Sequence, residues 1–340
     1  MKIGKFDTNE KVFIIAELSA NHSGNLQIAK DTIYAAKVAG ADAIKLQTYT
    51  PEWMTIDSKK EDFLIKGGTL WDGKNLFELY KEAMMPLDWH EELFNYAKSI
   101  DLEIFSSPFS KEAVDFLEKF NPPTYKIASF EITDYELIDY TASKGKPIIV
   151  STGIAEFEDI QNAIDTAKKH NIDIALLKCT SAYPVPRSEV NLKTIPAMKE
   201  IFNCTIGFSD HTLGISAPVA AVTMGAKIIE KHFILNKSIN SPDKDFSLTP
   251  NEFKEMVNAI REVEKMIGEV NFKPKKGRQF ARSLYVVKDT KKGEKFSREN
   301  IRSIRPGFGL HPKYLPKILG KVACKDLKKG TPLKWEYIGK

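Results

Sequence analysis

The stretches KVAGADAIKLQ (37–47), SKGKPIIVST (143–152) and TMGAKIIEKH (223–232) decide the fold. Each reads as a helix end, a glycine cap, and then a short apolar run that opens a strand. Runs of this kind recur at 13–19, 43–48, 103–107, 124–129, 147–152, 174–180, 205–212 and 226–233. Amphipathic stretches at helical period lie between most of them, at 26–39, 87–99, 111–120, 134–143 and 157–170. Such alternation makes a parallel sheet, because parallel neighbours are joined by crossovers and the crossovers are helices. Eight repeats predict α/β architecture of the closed (β/α)8 TIM-barrel type. The open doubly wound sheet is the alternative, and no GxGxxG follows the first run.

One connection, 49–86, is long and contains WDGKNLFELYKEA (71–83), which predicts an active-site loop with its own helix. A closing helix is expected at 250–267, followed by the Lys/Pro/Gly-rich stretch GEVNFKPKKG (268–277). The predicted division is a barrel over 1–268, a linker over 269–282, and a small β-rich module over 283–340. In that module DTKKGEKF (289–296) and DLKKGTPL (326–333) resemble each other, which points to an internal pseudo-repeat.

The 340 residues are 42% hydrophobic, enough for a sizeable core and too many for a disordered chain. No apolar run approaches the ~20 residues of a membrane helix, and the N-terminus lacks a secretory layout. Cys179, Cys204 and Cys324 are few and far apart, and read as reduced thiols of a cytoplasmic protein. The formal net charge of +5 is unevenly placed. Residues 271–340 hold 20 Lys+Arg against 5 Asp+Glu, a net of +15, while residues 1–270 hold 30 against 40, a net of −10. A basic tail fits nucleic acid, a membrane surface or an anionic ligand.

The strand ends carry more charge than packing explains. Side chains two apart on a strand point the same way, which pairs Glu17 with Ser19, Lys45 with Gln47, Ser209 with His211 and Glu230 with His232. A charge inside a barrel is costly unless it is paired or used. His211 and His232 close the seventh and eighth runs, and two imidazoles beside Glu230 and Asp210 could hold a divalent metal. The competing reading is two hydrogen-bonded structural histidines. Lys45 and Lys126, with Ser107, Ser129, Ser151, Ser181 and Ser209 near other strand ends, suit a phosphate or carboxylate ligand. For a single serine a helix N-cap is the simpler role. His22 reads equally as a turn residue or a site residue. His90, His170 and His311 read as surface residues, and Trp71, Trp89, Phe77 and Leu79 as loop or core packing. There is no GxxxxGK[ST], CxxC, HExxH or GxSxG motif.

The phrases AELSANHSGN (16–25), IKLQTY (44–49), FSSPFS (105–110), YKIASFE (125–131), PIIVSTG (147–153), CTSAYP (179–184), IGFSDHTLG (206–214) and IIEKHF (228–233) occur in this order. Together they resemble the sialic acid synthase family. The tail with IRPGFG (304–309) resembles its C-terminal antifreeze-like (SAF) domain. GGTLWDGKNLFELYKEAMMP (67–86) and GRQFARSL (277–284) look most like the pseudaminic acid synthase branch. The resemblance implies condensation of phosphoenolpyruvate with a 6-deoxy diacetamido sugar and water, releasing phosphate. N-acetylneuraminic or legionaminic acid synthesis is the alternative. It implies a divalent metal, often manganese, with magnesium or cobalt as alternatives, held by His211 and His232. Lys45, Lys126, Ser107, Ser129, Ser151, Ser181 and Ser209 would hold phosphoenolpyruvate. Ser181 stands where sialic acid synthases often have Asn. Glu17, Gln47, Tyr183 and Asp243 would face the sugar, and Glu17 and Glu230 are candidates for proton transfer. The resemblance also implies a domain-swapped homodimer in which Arg305 reaches the partner's sugar. On this reading the tail is a dimer lid and binds neither nucleic acid nor membrane. Ice binding is unfavourable for so densely basic a module.

Overall fold

The computed structural model describes residues 1–66, 71–273 and 276–339. Residues 67–70 of the insertion motif, 274–275 of the linker and Lys340 therefore lie outside the described residues. The chain forms two compact units, Met1–Gly268 and Glu269–Lys340.

The first unit is a closed eight-stranded parallel barrel. Its strands are β1 (Phe13–Glu17), β2 (Ala43–Thr48), β3 (Glu103–Pro108), β4 (Tyr125–Ile127), β5 (Ile148–Ser151), β6 (Ile174–Lys178), β7 (Thr205–Asp210) and β8 (Ile228–His232). Each pairs in parallel with its chain neighbours, and β8 closes on β1 with His232 opposite Glu17. Closure settles the choice against the open sheet.

Strand alternation sorts the barrel into layers. On β1, Ile14 and Ala16 face outward into the core shared with the helices. Phe13 and Ile15 face inward with Ala43, Phe105, Ile149, Leu177 and Ile228. The next inward positions up the same strands are Glu17, Lys45, Ser151 and Glu230, so an apolar lower plug supports a charged upper layer. Ile3, fully buried, joins that plug from a hairpin of two-residue strands, Lys2–Ile3 and Phe6–Asp7. Periodicity cannot detect strands this short.

The helices start and stop on local signals. In Leu26–Ala39 the Asn25 side chain accepts the N–H groups of Gln27 and Ile28, and Gly40 ends the helix at φ 92°. Pro250–Ile267 begins with a proline in its first turn and a Thr249/Glu252 capping box. Thr194–Phe202 and Ser216–Thr223 complete the ring. The 49–86 connection carries a helix, Leu76–Ala83, capped by Asn75.

His90 is fully buried, not a surface residue. It opens the helix His90–Ser99, and its Nε2 lies 2.8 Å from Thr48 Oγ1, which is 2.7 Å from Ser106 Oγ. This chain of polar contacts satisfies three buried groups behind β2 and β3. His22 is a turn residue whose Nδ1 accepts Gly24 N–H at 3.0 Å.

The second unit has its own core of Leu284, Val286, Phe296, Ile301, Ile318 and Leu333 around an antiparallel pair, β9 (Ser283–Val286) and β10 (Ile301–Ile304). Its two similar segments face each other. Thr290 and Leu327 exchange backbone hydrogen bonds at 2.9 and 2.8 Å. Lys291 pairs with Asp326 at 2.8 Å and Lys328 with Asp289 at 2.9 Å. No helix among the described residues is long and apolar enough to cross a membrane.

Candidate active site

A cavity of about 440 Å³ opens at the carboxyl ends of the barrel strands, and among its walls are Glu17, Lys45, Gln47, Lys126, Ser151, Ser209, His211, Glu230, His232 and Asp243. Local sequence explains their convergence. All but Asp243, which comes from the loop after β8, sit at inward-facing positions in the carboxyl-terminal part of a strand or just beyond it, and closure of the barrel brings eight such ends together.

The charges form one buried network. Lys45 contacts Glu17 directly and lies 3.8 Å from Glu230 Oε2. Lys126 Nζ is 3.7 Å from Glu230 Oε1. Gln47 Nε2 donates to Glu17 Oε1 at 3.0 Å, and Ser209 Oγ donates to Glu230 Oε1 at 3.1 Å. Burial pushes Glu17 up to about 7, against the pull of Lys45 and with the push of Glu230. Burial would raise Glu230 too, but Lys126 and Lys45 outweigh it and hold Glu230 below the usual carboxylate range. Burial lowers Lys126, whereas in Lys45 the nearby carboxylates overcome burial and raise it. One carboxyl is thus close to its titration point while its neighbour stays ionised, which is a separation that acid–base chemistry uses.

His211 and His232 face each other with ring centroids 5.3 Å apart. His211 Nδ1 lies 3.2 Å from the Thr180 carbonyl, a contact in which only the ring can donate, and that bond orients the ring. Burial, together with the positive charge of His211 and Lys45, keeps His232 well below its ordinary value and therefore neutral. Its Nδ1 is buried without a hydrogen-bond partner and 3.8 Å from Asp243 Oδ2. Burial raises Asp243. An orphaned neutral imidazole beside a second with an oriented ring fits a divalent cation. Asp210, expected beside the histidines, instead points to the outer face of β7, where it pairs with Lys231. Alternation along the strand requires this, since Ser209 and His211 take the inward positions.

The hydroxyls form a cradle. Ser129 and Ser181 are hydrogen bonded at 2.8 Å, and Ser151 Oγ is buried without a partner. Ser181 and Ser107 stand one step behind the wall, and Ser107 Oγ accepts from Lys45 Nζ at 3.2 Å. Gly153 is needed between the two serines, because a Cβ there would lie 2.0 Å from Ser181 Oγ and 2.7 Å from Ser129 Cβ. Gly153→Ala is therefore expected to lower stability by about 1–3 kcal/mol and to weaken binding of inorganic phosphate. A variant with unchanged melting temperature and unchanged phosphate affinity would remove the cradle from the site.

Two further groups complete the wall: the insertion, expected from the sequence as an active-site loop, and Glu131, which is not. Glu131 lines the cavity, its Oε2 has no hydrogen-bond partner, and burial pushes it up to about 7. It lies inside the phrase YKIASFE but has no strand or helix period to mark its direction. The insertion supplies an apolar wall of Met54, Ile65, Trp71, Leu76, Leu79 and Tyr80. Trp71 and Leu79 thus serve the site, with Trp71 5.7 Å from the Tyr183 ring, while Trp89 packs on His22. Arg305 belongs to the second unit and is exposed at the start of its RPGFG turn.

A closed (β/α)8 barrel with a charged, histidine-bearing cavity at its carboxyl face is the architecture of an enzyme. Comparison with known families identifies which. Residues 32–272 match the NeuB family and residues 281–338 the SAF domain. The chain is 53% identical over 339 residues to the pseudaminic acid synthase of Campylobacter jejuni, covering 98% of each. It is 36% identical to the N,N'-diacetyllegionaminic acid synthase of Legionella pneumophila, covering 96% of this chain and 94% of that one. A crystal structure of the N-acetylneuraminic acid synthetase from Leptospira borgpetersenii, in complex with citrate, superposes with a TM-score of 0.72 at 29% identity, covering 81% of this chain and 92% of that one. The chain belongs to the NeuB family.

Proposed function

We propose that this chain is a pseudaminic acid synthase, condensing phosphoenolpyruvate with 2,4-diacetamido-2,4,6-trideoxy-L-altrose and water to give pseudaminic acid and phosphate. The observation that carries this reading is the full-length likeness at 53% identity to a pseudaminic acid synthase, against 36% to a legionaminic acid synthase. The cavity supports it. Phosphoenolpyruvate is a small, highly charged anion, and Lys45, Lys126, the Ser129–Ser181 pair and Ser151 present cations and hydroxyls to receive it. The apolar wall from the insertion suits a sugar that carries three methyl groups.

C3 of phosphoenolpyruvate attacks the aldehyde carbon of the open-chain sugar. The cation left at C2 takes up water, and the tetrahedral adduct expels phosphate to leave a ketone. A divalent metal, manganese by the resemblance, would be held by His211 and His232, and when bound supplies Lewis acidity that polarises the aldehyde. The chain's own residues do the rest. Lys45 and Lys126 hold the anion against the charge network. A proton must reach the aldehyde oxygen and one must leave the water, and Glu17 and Glu131, each up at about 7, are the groups half-protonated near neutrality. Glu230, held ionised, anchors both lysines. Gln47, Tyr183 and Asp243 face the sugar side.

Phosphate release across a panel of sugars tests the function. Turnover of the diacetamido-trideoxy-altrose is expected to exceed all others, and equal or better turnover of N-acetylmannosamine would sink the reading. The kcat/KM profile is expected to bend near pH 7, and that bend is expected to move in Glu17→Gln or Glu131→Gln. A bend unchanged in both variants assigns proton transfer elsewhere.

The basic tail module and the acidic barrel attract each other, which supports a dimer in which the module of one chain covers the cavity of the other. Arg305 then contacts the partner's sugar. Arg305→Ala is expected to raise the sugar KM, and mixing it with inactive Glu230→Ala is expected to restore part of the activity after subunit exchange. No recovery would count against the swap.

A further inference from the structure

Lys231 and Asp210 lie directly opposite each other in the β7–β8 ladder, and neither side chain reaches solvent. Lys231 Nζ donates to Asp210 Oδ2 at 2.5 Å and also to the Thr212 carbonyl. Asp210 Oδ1 accepts the Thr212 N–H at 2.9 Å. The pair therefore clasps both backbone groups of Thr212, just where β7 has left the sheet and no ladder partner remains for them.

The sequence neighbours of this clasp are the two histidines. His211 is the residue between Asp210 and Thr212, and His232 follows Lys231. Alternation puts the ion pair on the outer face and the imidazoles on the inner face of the same two strand ends. An apolar pair of equal volume would fill the same space with less desolvation, so packing alone does not call for buried charges here. What charges add is the two hydrogen bonds to Thr212, which hold the His211 backbone in one conformation.

We propose that the buried Lys231–Asp210 pair is a positioning device that sets the spacing of His211 and His232 from behind the barrel wall. This rests on the reading of those histidines as the metal site. Neither residue touches substrate, and both act through the register of two strands and one turn.

The test is direct Mn2+ binding by calorimetry on the full chain, with thermal melts in parallel. Lys231→Met and Asp210→Leu singly leave a buried charge unpaired and are expected to lower the melting temperature. The double variant Asp210→Leu/Lys231→Met is expected to regain most of that temperature, yet to bind Mn2+ about 10–100-fold more weakly than wild type. Lys231→Gln, which can still donate to Thr212, is expected to fold and to lose less affinity than the double variant. A folded double variant, or a Lys231→Met variant should the double fail to fold, that binds Mn2+ as wild type does would overturn the proposal and leave the pair a stabilising contact only. Absence of Mn2+ binding by wild type would instead overturn the metal site itself.

Discussion

Replacing His232 with Ala is expected to lower kcat by about three orders of magnitude while the barrel stays folded. The size follows from the several kcal/mol that Lewis-acid stabilisation of a developing oxyanion supplies. Folding is expected to survive because the His232 side chain sits at the top of the barrel, above the apolar layer, with an Nδ1 that makes no hydrogen bond. His211→Ala should behave alike in turnover, but with a lower melting temperature, since its ring also donates to the Thr180 carbonyl. Circular dichroism melts, chelator treatment and Mn2+ restoration together make the check. Wild-type turnover in a chelated, metal-free preparation, or in His232→Ala, would remove the metal from the reaction.

Lys45→Met is the second large effect, and it reaches stability and activity together. Lys45 is the cation between Glu17 and Glu230, so its loss leaves two buried carboxylates facing each other with Lys126 alone to balance them. Breaking a buried network in this way costs about 3–5 kcal/mol. The pH sign follows from Glu17. Its folded value of about 7 lies above the ordinary 4.5, so it contributes stability below pH 4.5 that is lost as pH rises through 7. Removing Lys45 raises Glu17 further, and Lys45→Met is expected to lose more stability between pH 5 and 8 than wild type does. Adding Glu17→Gln should recover melting temperature without recovering the phosphoenolpyruvate KM, because one like charge is gone while the anion's cation is still missing. Melts at several pH values and steady-state kinetics measure both halves. A single variant with wild-type stability across that range would show that the lysine is not balancing the carboxylates.

Most of the site was legible as residue types at strand ends. Glu17, Lys45, Glu230 and His232 stand at inward positions of three strands, and closure of the barrel joins them. What could not be read was direction and distance where local period is absent. Glu131 lies in a loop, Gly153 matters only because two serines from other strands meet over it, and the insertion reads as an active-site loop without showing which of its apolar side chains wall the cavity. Asp210 reads from the sequence as lying beside the paired histidines because it adjoins His211, yet adjacent residues on a strand face opposite ways, and it turns outward to Lys231. His90 was misplaced on the surface because a polar residue opening a helix usually faces water, and here it meets Thr48.

The amino-acid sequence by itself determined the repeating strand–helix order, the glycine caps, the inward–outward alternation and the charge split between body and tail, all of which depend on residues within a few positions of each other. Tertiary structure alone decided which charges touch, that Glu17 is driven toward neutrality while Glu230 stays ionised, and that Lys231 clasps Asp210 behind the histidines. Those outcomes depend on strand register and burial, and the groups involved lie far apart along the chain.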